Sequence, residues 1–393
     1  MTATSLPSAP TGRGTSLYVH VPFCVVKCGY CDFNSYVVED QAVHDLFLQA
    51  LERELQATWP RGVRPVSVFF GGGTPSLLTP DRLRRLVGIV DRHVGLRDCS
   101  EVSMEANPES ITLEKAQIAR ELGISRMSMG VQSFHPHHLQ FLDRAHSAER
   151  AEQAFWQLRE AGFTNLSIDL MFGIPRETCA EWRSDLERAL ALQPDHLSCY
   201  NLTFEPGTRL YRDLQRDTVA PNEQEDDRTM FLHTRERLAQ AGFTAYEVSN
   251  FAGRGGPCWH NDHYWLQGDY VGIGPGASSH RAGVRCTNLK PVEAWAKAAL
   301  AGLPCAGSAE TLWPMQRASE AVWLGIRRTA GVDLQAIENR LELAIRGRFA
   351  AVIENQIAAG WVQYDGARLA LTDAGLLMAD QVGGQYLGLG ITR

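Results

Sequence analysis

The sequence predicts an α/β protein in which a parallel sheet carries the functional site and a small winged-helix-like α+β module follows it. Two observations predict this. Short β-branched and aromatic runs alternate with amphipathic helical stretches through six strands, and from about Met315 that beat gives way to helices, a hairpin and a last helix. Strands joined by helical crossovers make right-handed βαβ units and a parallel sheet. Six such units fit an open, partial (β/α)6 barrel, and a doubly wound open sheet fits the same periodicity; both place functional groups at strand C-termini.

The elements follow in order. After the Cys-rich stretch that begins at Tyr18, Val43, Phe47, Leu48, Leu51 and Leu55 recur at helical spacing over 40–59. Val66 to Phe70 is a buried strand ending in Gly71-Gly72-Gly73-Thr74-Pro75-Ser76, and Thr79 with Pro80 opens a helix to about Val94. Strand Glu101 to Glu105 leads through Asn107-Pro108 to helix Leu113 to Leu122, which Gly123 closes in a left-handed cap. Strand Arg126 to Val131 ends at Gln132 and precedes helices near 136–143 and 148–161. Strand Asn165 to Met171 ends in Gly173-Ile174-Pro175, and Thr178 with Glu181 forms a capping box for the next helix. His196 to Leu202 is the sixth strand. Asn222 with Glu225 predicts another capping box, before a helix that Gly242 ends and a strand from Ala245 to Val248. Asp365-Gly366 marks the late hairpin, and Thr372 caps the helix after it. These changes divide the chain into a disordered Ser/Thr/Pro/Gly-rich segment 1–16, a barrel over 17–250, a linker and motif region over 251–310, and a C-terminal helical, winged-helix-like domain over 311–393.

Composition narrows the class. The chain has 393 residues, 44% hydrophobic and 21% charged, enough apolar material for a large core. A net charge of −7 without a Lys/Arg block predicts no nucleic-acid partner, so the C-terminal module is expected to pack on the barrel as a lid or brace rather than to contact DNA. Six of the nine cysteines are scattered (Cys99, Cys179, Cys199, Cys258, Cys286, Cys305), which reads as a reducing cytoplasm. The opening segment lacks an apolar signal region, and no run reaches the roughly 18 apolar residues of a membrane span. Any membrane contact is expected to be peripheral.

The other three cysteines are the centre of the reading. Y-V-H-V-P-F-C-V-V-K-C-G-Y-C-D-F, Tyr18 to Phe33, brings Cys24, Cys28 and Cys31 together with Pro, Gly and Lys between them, as in a loop. Thiolates select zinc, cuprous copper or iron–sulfur clusters. Structural zinc wants a fourth ligand that is not nearby, and buried core cysteines are the plain alternative. The spacing C-x3-C-x2-C followed by an aromatic resembles the signature of radical S-adenosylmethionine (SAM) proteins. That resemblance implies a [4Fe–4S] cluster on the three thiolates, an open iron chelated by the amino and carboxylate groups of SAM, and a partial (β/α)6 barrel around both.

The rest of the chain from residue 17 extends the resemblance to anaerobic coproporphyrinogen III oxidase and its relatives, through G-G-G-T-P, M-E-A-N-P, G-V-Q-S, L-D-R-A-H and I-D-L-M-F-G-I-P. Gly72, Gly73 and Thr74 are not a phosphate loop, since no Gly-Lys-Ser/Thr follows; by the resemblance their backbone takes the ammonium of SAM. Glu105, Gln132, Arg144 and Asp169 sit at or just beyond strand C-termini, where a buried charge needs a partner or ligand. By the resemblance the carboxylates hold the ribose hydroxyls, Gln132 and Arg144 face the sulfonium and carboxylate, and Tyr18 and Tyr30 line the pocket.

Two features depart from the oxidase: Phe33 stands where it has a fourth cysteine, and seventeen residues precede Tyr18 where it has a long extension. With His260, Asn261, Tyr264 and Trp265 these features are similar to the HemW branch of the family, whose members bind heme and act as heme chaperones. The resemblance implies heme as a third ligand, an apo-hemoprotein acceptor and a heme donor. An imidazole flanked by rings suits heme iron, and Cys258 and His263 are rival ligands close by. This motif is expected between barrel and C-terminal module, at a domain seam. The alternative function is oxygen-independent oxidative decarboxylation of coproporphyrinogen III. Both functions need the cluster and SAM.

Overall fold

The computed structural model describes residues 14–390, so residues 1–13 of the expected disordered segment lie outside the described residues. Strands β1 (Thr15–Val21), β2 (Pro65–Gly72), β3 (Glu101–Ala106), β4 (Arg126–Gln132), β5 (Leu166–Phe172) and β6 (His196–Asn201) lie side by side in sequence order, all parallel. A doubly wound sheet reverses strand order at a switch point, and this one does not, which decides for the partial barrel. The first strand starts inside the segment expected to be disordered, because Ser16 is buried and its hydroxyl pairs with that of Ser67 at 2.8 Å.

Helices α1 (Gln41–Thr58), α2 (Pro80–Val94), α3 (Leu113–Glu121), α4 (Pro136–Phe141), α5 (Ala148–Glu160) and α6 (Cys179–Ala191) connect these strands. Most begin where a side chain accepts an otherwise unpaired backbone N–H: Asp40 for α1, Thr79 for α2, Thr112 for α3, Ser147 for α5, and the Thr178–Glu181 capping box for α6. Strand alternation then separates two environments. In β1 Leu17, Val19 and Val21 are buried in the main apolar core with the helices, whereas Tyr18 and His20 line an internal cavity.

Beyond β6 come α7 (Arg209–Gln215), α8 (Gln224–Gln240), β7 (Thr244–Ala245) and β8 (Asn250–Ala252). Two expectations fail here. The strand predicted over 245–248 is replaced by the short antiparallel pair β7 and β8, which ends the sheet beside β6. The predicted Asn222 capping box does not form, because Glu223 is the N-cap and Asn222 Oδ1 accepts from the Arg176 backbone N–H at 2.8 Å.

The largest correction concerns 251–310, which is no linker. It contains α9 (Trp259–Trp265), β9 (Asp269–Ile273), β10 (Ser278–Arg281), β11 (Val284–Asn288), α10 (Val292–Leu300) and β12 (Ala306–Thr311). β9 pairs parallel with β1, and β10, β11 and β12 extend the same sheet antiparallel to twelve strands. Glu54 of α1 holds this extension in place: its buried carboxylate accepts from Gly274 N (2.8 Å), Asn288 Nδ2 (2.6 Å) and Trp295 Nε1 (2.9 Å).

The C-terminal module comprises α11 (Pro314–Gly325), β13 (Val332–Asp333), α12 (Leu334–Leu341), α13 (Arg346–Ala358), β14 (Val362–Tyr364), β15 (Arg368–Leu371), α14 (Asp373–Leu376) and α15 (Ala379–Leu387). It has a core of its own, centred on Val322, Ile326, Leu334, Phe349, Leu369 and Tyr386, and a separate three-stranded sheet. Among the described residues no helix is long and apolar enough to cross a membrane.

Candidate functional site

Two adjoining cavities occupy the barrel interior, of about 1030 Å³ and about 980 Å³. The first is built around the cysteine loop. After β1 the chain turns at Phe23 and is tied to the β2 loop by Gly73 N donating to Val21 O (2.8 Å) and Thr74 N to Phe23 O (2.7 Å). A side chain at Gly73 would stand 2.7 Å from the Phe23 carbonyl oxygen, and Gly72 has a left-handed φ of 105°. Glycine is what the close approach and the turn require.

Cys24, Cys28 and Cys31 are free thiols on one wall of this chamber. A chain of polar contacts joins two of them: Thr74 Oγ1 donates to Cys24 Sγ (3.6 Å), Asn107 Nδ2 to Thr74 Oγ1 (3.0 Å), and Arg144 to Asn107 Oδ1 (2.8 Å) and Cys28 Sγ (3.8 Å). Burial pushes the Cys28 thiol up while the Arg144 guanidinium pulls it down; burial raises Cys31 as well, with Lys27 opposing. Asp143 Oδ2 accepts from Gly29 N at 2.9 Å, and α7 covers the loop through Leu210 N to Gly29 O at 2.8 Å. Three soft donors on one wall, with a cation held against them, can hold a cluster.

Tyr30, Gly72, Gly73, Thr74, Glu105, Gln132, Arg144 and Asp169 line the same chamber. Burial, then the like charge of Asp169, raises Glu105 to about 7, although Gly72 N donates to its Oε2 at 3.0 Å. Asp169 is raised too, mainly by burial, and accepts from Ser128 Oγ at 3.1 Å on each oxygen. Paired carboxylates that gain by finding donors are suited to sugar hydroxyls. Gln132 has a left-handed φ of 69° where the β4–β5 register slips, a local strain of the kind found at ligand sites. The C-terminal module roofs the chamber with Leu376, Met378 and Asp380. Asn107, in the M-E-A-N-P stretch between strand and helix, also lines this chamber, and its place after a strand and before Pro108 is the signal for it.

Tyr18 is the exception in the set predicted for SAM. It lies partway down β1 and lines the second chamber, with its ring stacked 6.3 Å from Phe69 and its hydroxyl 3.0 Å from His20 Nδ1. The two chambers share Asp32, Phe33, Ser35, Gly72, Glu105, Ser128, Asp169 and Tyr200.

Helix α9 closes the second chamber at the N-terminal ends of the strands. Glu101, the first residue of β3, accepts from the N–H groups of Trp259 (3.1 Å) and His260 (3.3 Å) and from Cys258 Sγ (3.4 Å). This carboxylate compensates the positive end of the helix. His260 is buried, with Nδ1 2.9 Å from Ser67 Oγ, Nε2 2.7 Å from Tyr264 OH and its ring stacked 5.1 Å from Phe69. Burial lowers it to about 3, so the imidazole is neutral. His260, Asn261 and Tyr264 line the chamber, whereas the rivals Cys258 and His263 do not; His263 Nε2 is taken by Asp269 O at 2.8 Å.

Trp265 lies on the other side of α9, under the Arg327 guanidinium at 5.1 Å, and Asp262 there forms a bidentate ion pair with Arg328 at 2.7 and 3.1 Å. The motif does stand between barrel and C-terminal module. Its histidine nevertheless faces the barrel interior rather than the seam, and Trp265 faces the module because helical spacing puts positions 260 and 264 on one face and 262 and 265 on another.

Comparison with known proteins places these features in context. Residues 18–189 match the Radical SAM superfamily and residues 312–378 the HemN C-terminal domain. A Bacillus subtilis protein named heme chaperone HemW is 34% identical over 377 residues, spanning 95% of this chain and 99% of its own. Its namesake from Mycobacterium tuberculosis (strain H37Rv) is 39% identical over 389 residues, 98% of this chain and 96% of its own. The solved structure of coproporphyrinogen III oxidase (HemN) from Escherichia coli, a radical SAM enzyme, shares the fold with a TM-score of 0.83 at 24% identity, over 96% of this chain and 91% of that one.

Proposed function

Because the chain belongs to the HemW family of radical SAM proteins, we propose that it is a heme chaperone, which binds heme, passes it to an apo-hemoprotein, and carries a [4Fe–4S] cluster and SAM beside it. The observation that carries this reading is the second chamber. It is walled by Tyr18, Phe69, Tyr264, Tyr270 and Trp323 and edged by the cations Lys27 and Lys290, while Arg285 at the same edge is ion-paired with Glu310 and Glu320. Rings that pack on a macrocycle, with cations for two propionates, match a flat, apolar, dianionic ligand.

Cys24, Cys28 and Cys31 would hold the cluster, with Arg144 against Cys28, and the carboxylates of Glu105 and Asp169 would accept hydrogen bonds from the ribose hydroxyls of SAM. The cluster, when bound, supplies an electron to SAM. His260 is the heme ligand in this reading. It is neutral, Ser67 holds its Nδ1, and its Nε2, now hydrogen-bonded to the Tyr264 hydroxyl, would supply the lone pair to heme iron. Heme titration of the purified chain with and without His260→Ala tests this. Weaker binding or an altered Soret band, with cluster content unchanged, is expected. Loss of the cluster in that variant would instead indicate a folding role, and unchanged heme binding another ligand.

The shared fold makes coproporphyrinogen III oxidation the second reading. Anaerobic incubation of the reconstituted protein with coproporphyrinogen III, SAM and a reductant separates the two, because protoporphyrinogen formation would overturn the chaperone reading. SAM cleavage alone would not.

A further inference from the structure

Outside both chambers, the turn into α4 reads His135-Pro136-His137-His138, and the start of α6 faces it. The three imidazole rings lie close together, with centroids 4.1 Å (137 and 138), 5.3 Å (135 and 138) and 5.7 Å (135 and 137) apart. His137 Nε2 is 3.1 Å from Glu181 Oε1, and His138 Nε2 is 4.0 Å from Glu181 Oε2. His135 Nε2 is 3.2 Å from the Glu181 backbone carbonyl oxygen and 3.7 Å from Asp185 Oδ1, and His138 Nδ1 is 4.0 Å from Glu177 Oε1.

Two atoms in this cluster stand out. His138 Nε2 and Glu177 Oε1 are buried without a hydrogen-bond partner, on side chains 2% and 0% exposed. Such atoms are costly unless something else meets them. The capping box meanwhile fixes the Glu181 carboxylate: its Oε2 accepts from Thr178 N (2.9 Å) and Oγ1 (2.7 Å), which leaves Oε1 directed at His137.

We propose that this cluster is a binding site for a divalent transition-metal ion of the zinc class, held by one ring nitrogen each of His135 and His137 and a Glu181 carboxylate oxygen, beside the unpartnered Nε2 of buried His138. Two or three imidazoles with one carboxylate are borderline donors that favour zinc, nickel or cobalt over magnesium or calcium. The three ligand atoms lie within 4.8 Å of one another. A tetrahedral zinc site needs them roughly 3.4 Å apart, a closure that side-chain rotation supplies, since His135 and His137 are 25% and 60% exposed. The same exposure gives the ion its entry path. An ion there would fix the start of α4, whose far end runs into Asp143 and Arg144.

The test uses the full chain with its cluster reconstituted, so that the cysteines are occupied, and Zn²⁺ as the probe in competition with a chromophoric chelator. One ion per chain is expected in the wild type. His135→Ala/His137→Ala should weaken it by at least about tenfold, with iron content and thermal unfolding unchanged. Glu181→Gln, which keeps an oxygen for the Thr178 cap, should weaken it as well. Co²⁺ should give tetrahedral d–d bands without thiolate charge transfer. Undiminished Zn²⁺ binding in both variants, absence of a stoichiometric site in the wild type, or a thiolate band with Co²⁺ would each overturn the assignment.

Discussion

Glu105→Gln is expected to make the apo-protein more stable and a poorer SAM binder. In the folded protein Glu105 titrates at about 7, against a reference of 4.5, because it is buried beside Asp169. Between those values the folded chain keeps a proton that the unfolded chain has released. Stability therefore falls as pH rises through the window, by about 1.4 kcal/mol per unit for a fully shifted group. The 2.5-unit gap sets an upper bound of about 3 kcal/mol at pH 8; the carboxylate lines an open chamber, so solvent screening reduces this to about 1–2 kcal/mol. Glutamine still accepts from Gly72 N and places no charge against Asp169. The variant should therefore gain about 1–2 kcal/mol over wild type at pH 8 and almost nothing at pH 4.5. Urea unfolding at several pH values, compared pairwise, reads this difference while cancelling other buried acids such as Glu54. A variant less stable than wild type at pH 8, or a difference that does not depend on pH, would refute the reasoning. Calorimetric titration of the reconstituted variant should show weakened SAM binding, the usual trade between stability and function.

Three further outcomes follow from the geometry. Cys24→Ala should leave a chain that anaerobic reconstitution cannot load with a full cluster; iron and sulfide analysis matching wild type would remove Cys24 from the ligand set. Tyr264→Phe deletes the hydroxyl that occupies His260 Nε2, at a cost of about 1 kcal/mol in stability. It should strengthen heme binding where His260→Ala weakens it, and a parallel loss in both would show that the tyrosine helps to hold the ligand. Arg328→Ala strands the buried Asp262 carboxylate under the C-terminal module and should cost roughly 3 kcal/mol. Double replacement with Asp262→Asn should recover much of that in chemical unfolding.

The barrel was legible because its signals are local. Most crossover helices carry their cap and amphipathic stripe in a few residues, and most strands end at Gly or a polar group. The cysteine loop was legible for the same reason. Residues 251–310 were not. β12 reads Ala-Gly-Ser-Ala-Glu-Thr and is exposed throughout, so it carries no alternation to detect, and β9 joins the sheet through β1, far away in sequence. The position of α9 depends on Glu101 accepting from its first N–H groups, a contact between residues more than a hundred and fifty apart. Tyr18 lines the second chamber and not the cysteine chamber, because a motif fixes which residues lie near the barrel interior but not how deep each one sits. Trp265 shows the converse. Helical spacing alone separates it from His260 and Tyr264, once the helix is drawn.

On the proposed assignment of SAM and heme to the two chambers, the wall common to both makes the ligands partners in a thermodynamic cycle. Glu105, Asp169 and Gly72 face both sides, so a molecule that dries or protonates the wall from one side alters the binding free energy on the other. Reciprocity then holds without further assumption: the factor by which SAM changes the affinity for heme is the factor by which heme changes the affinity for SAM. A carrier must release its cargo as well as hold it. On that assignment, departure of SAM from the cysteine side would itself change the grip on heme, through the residues that line both chambers.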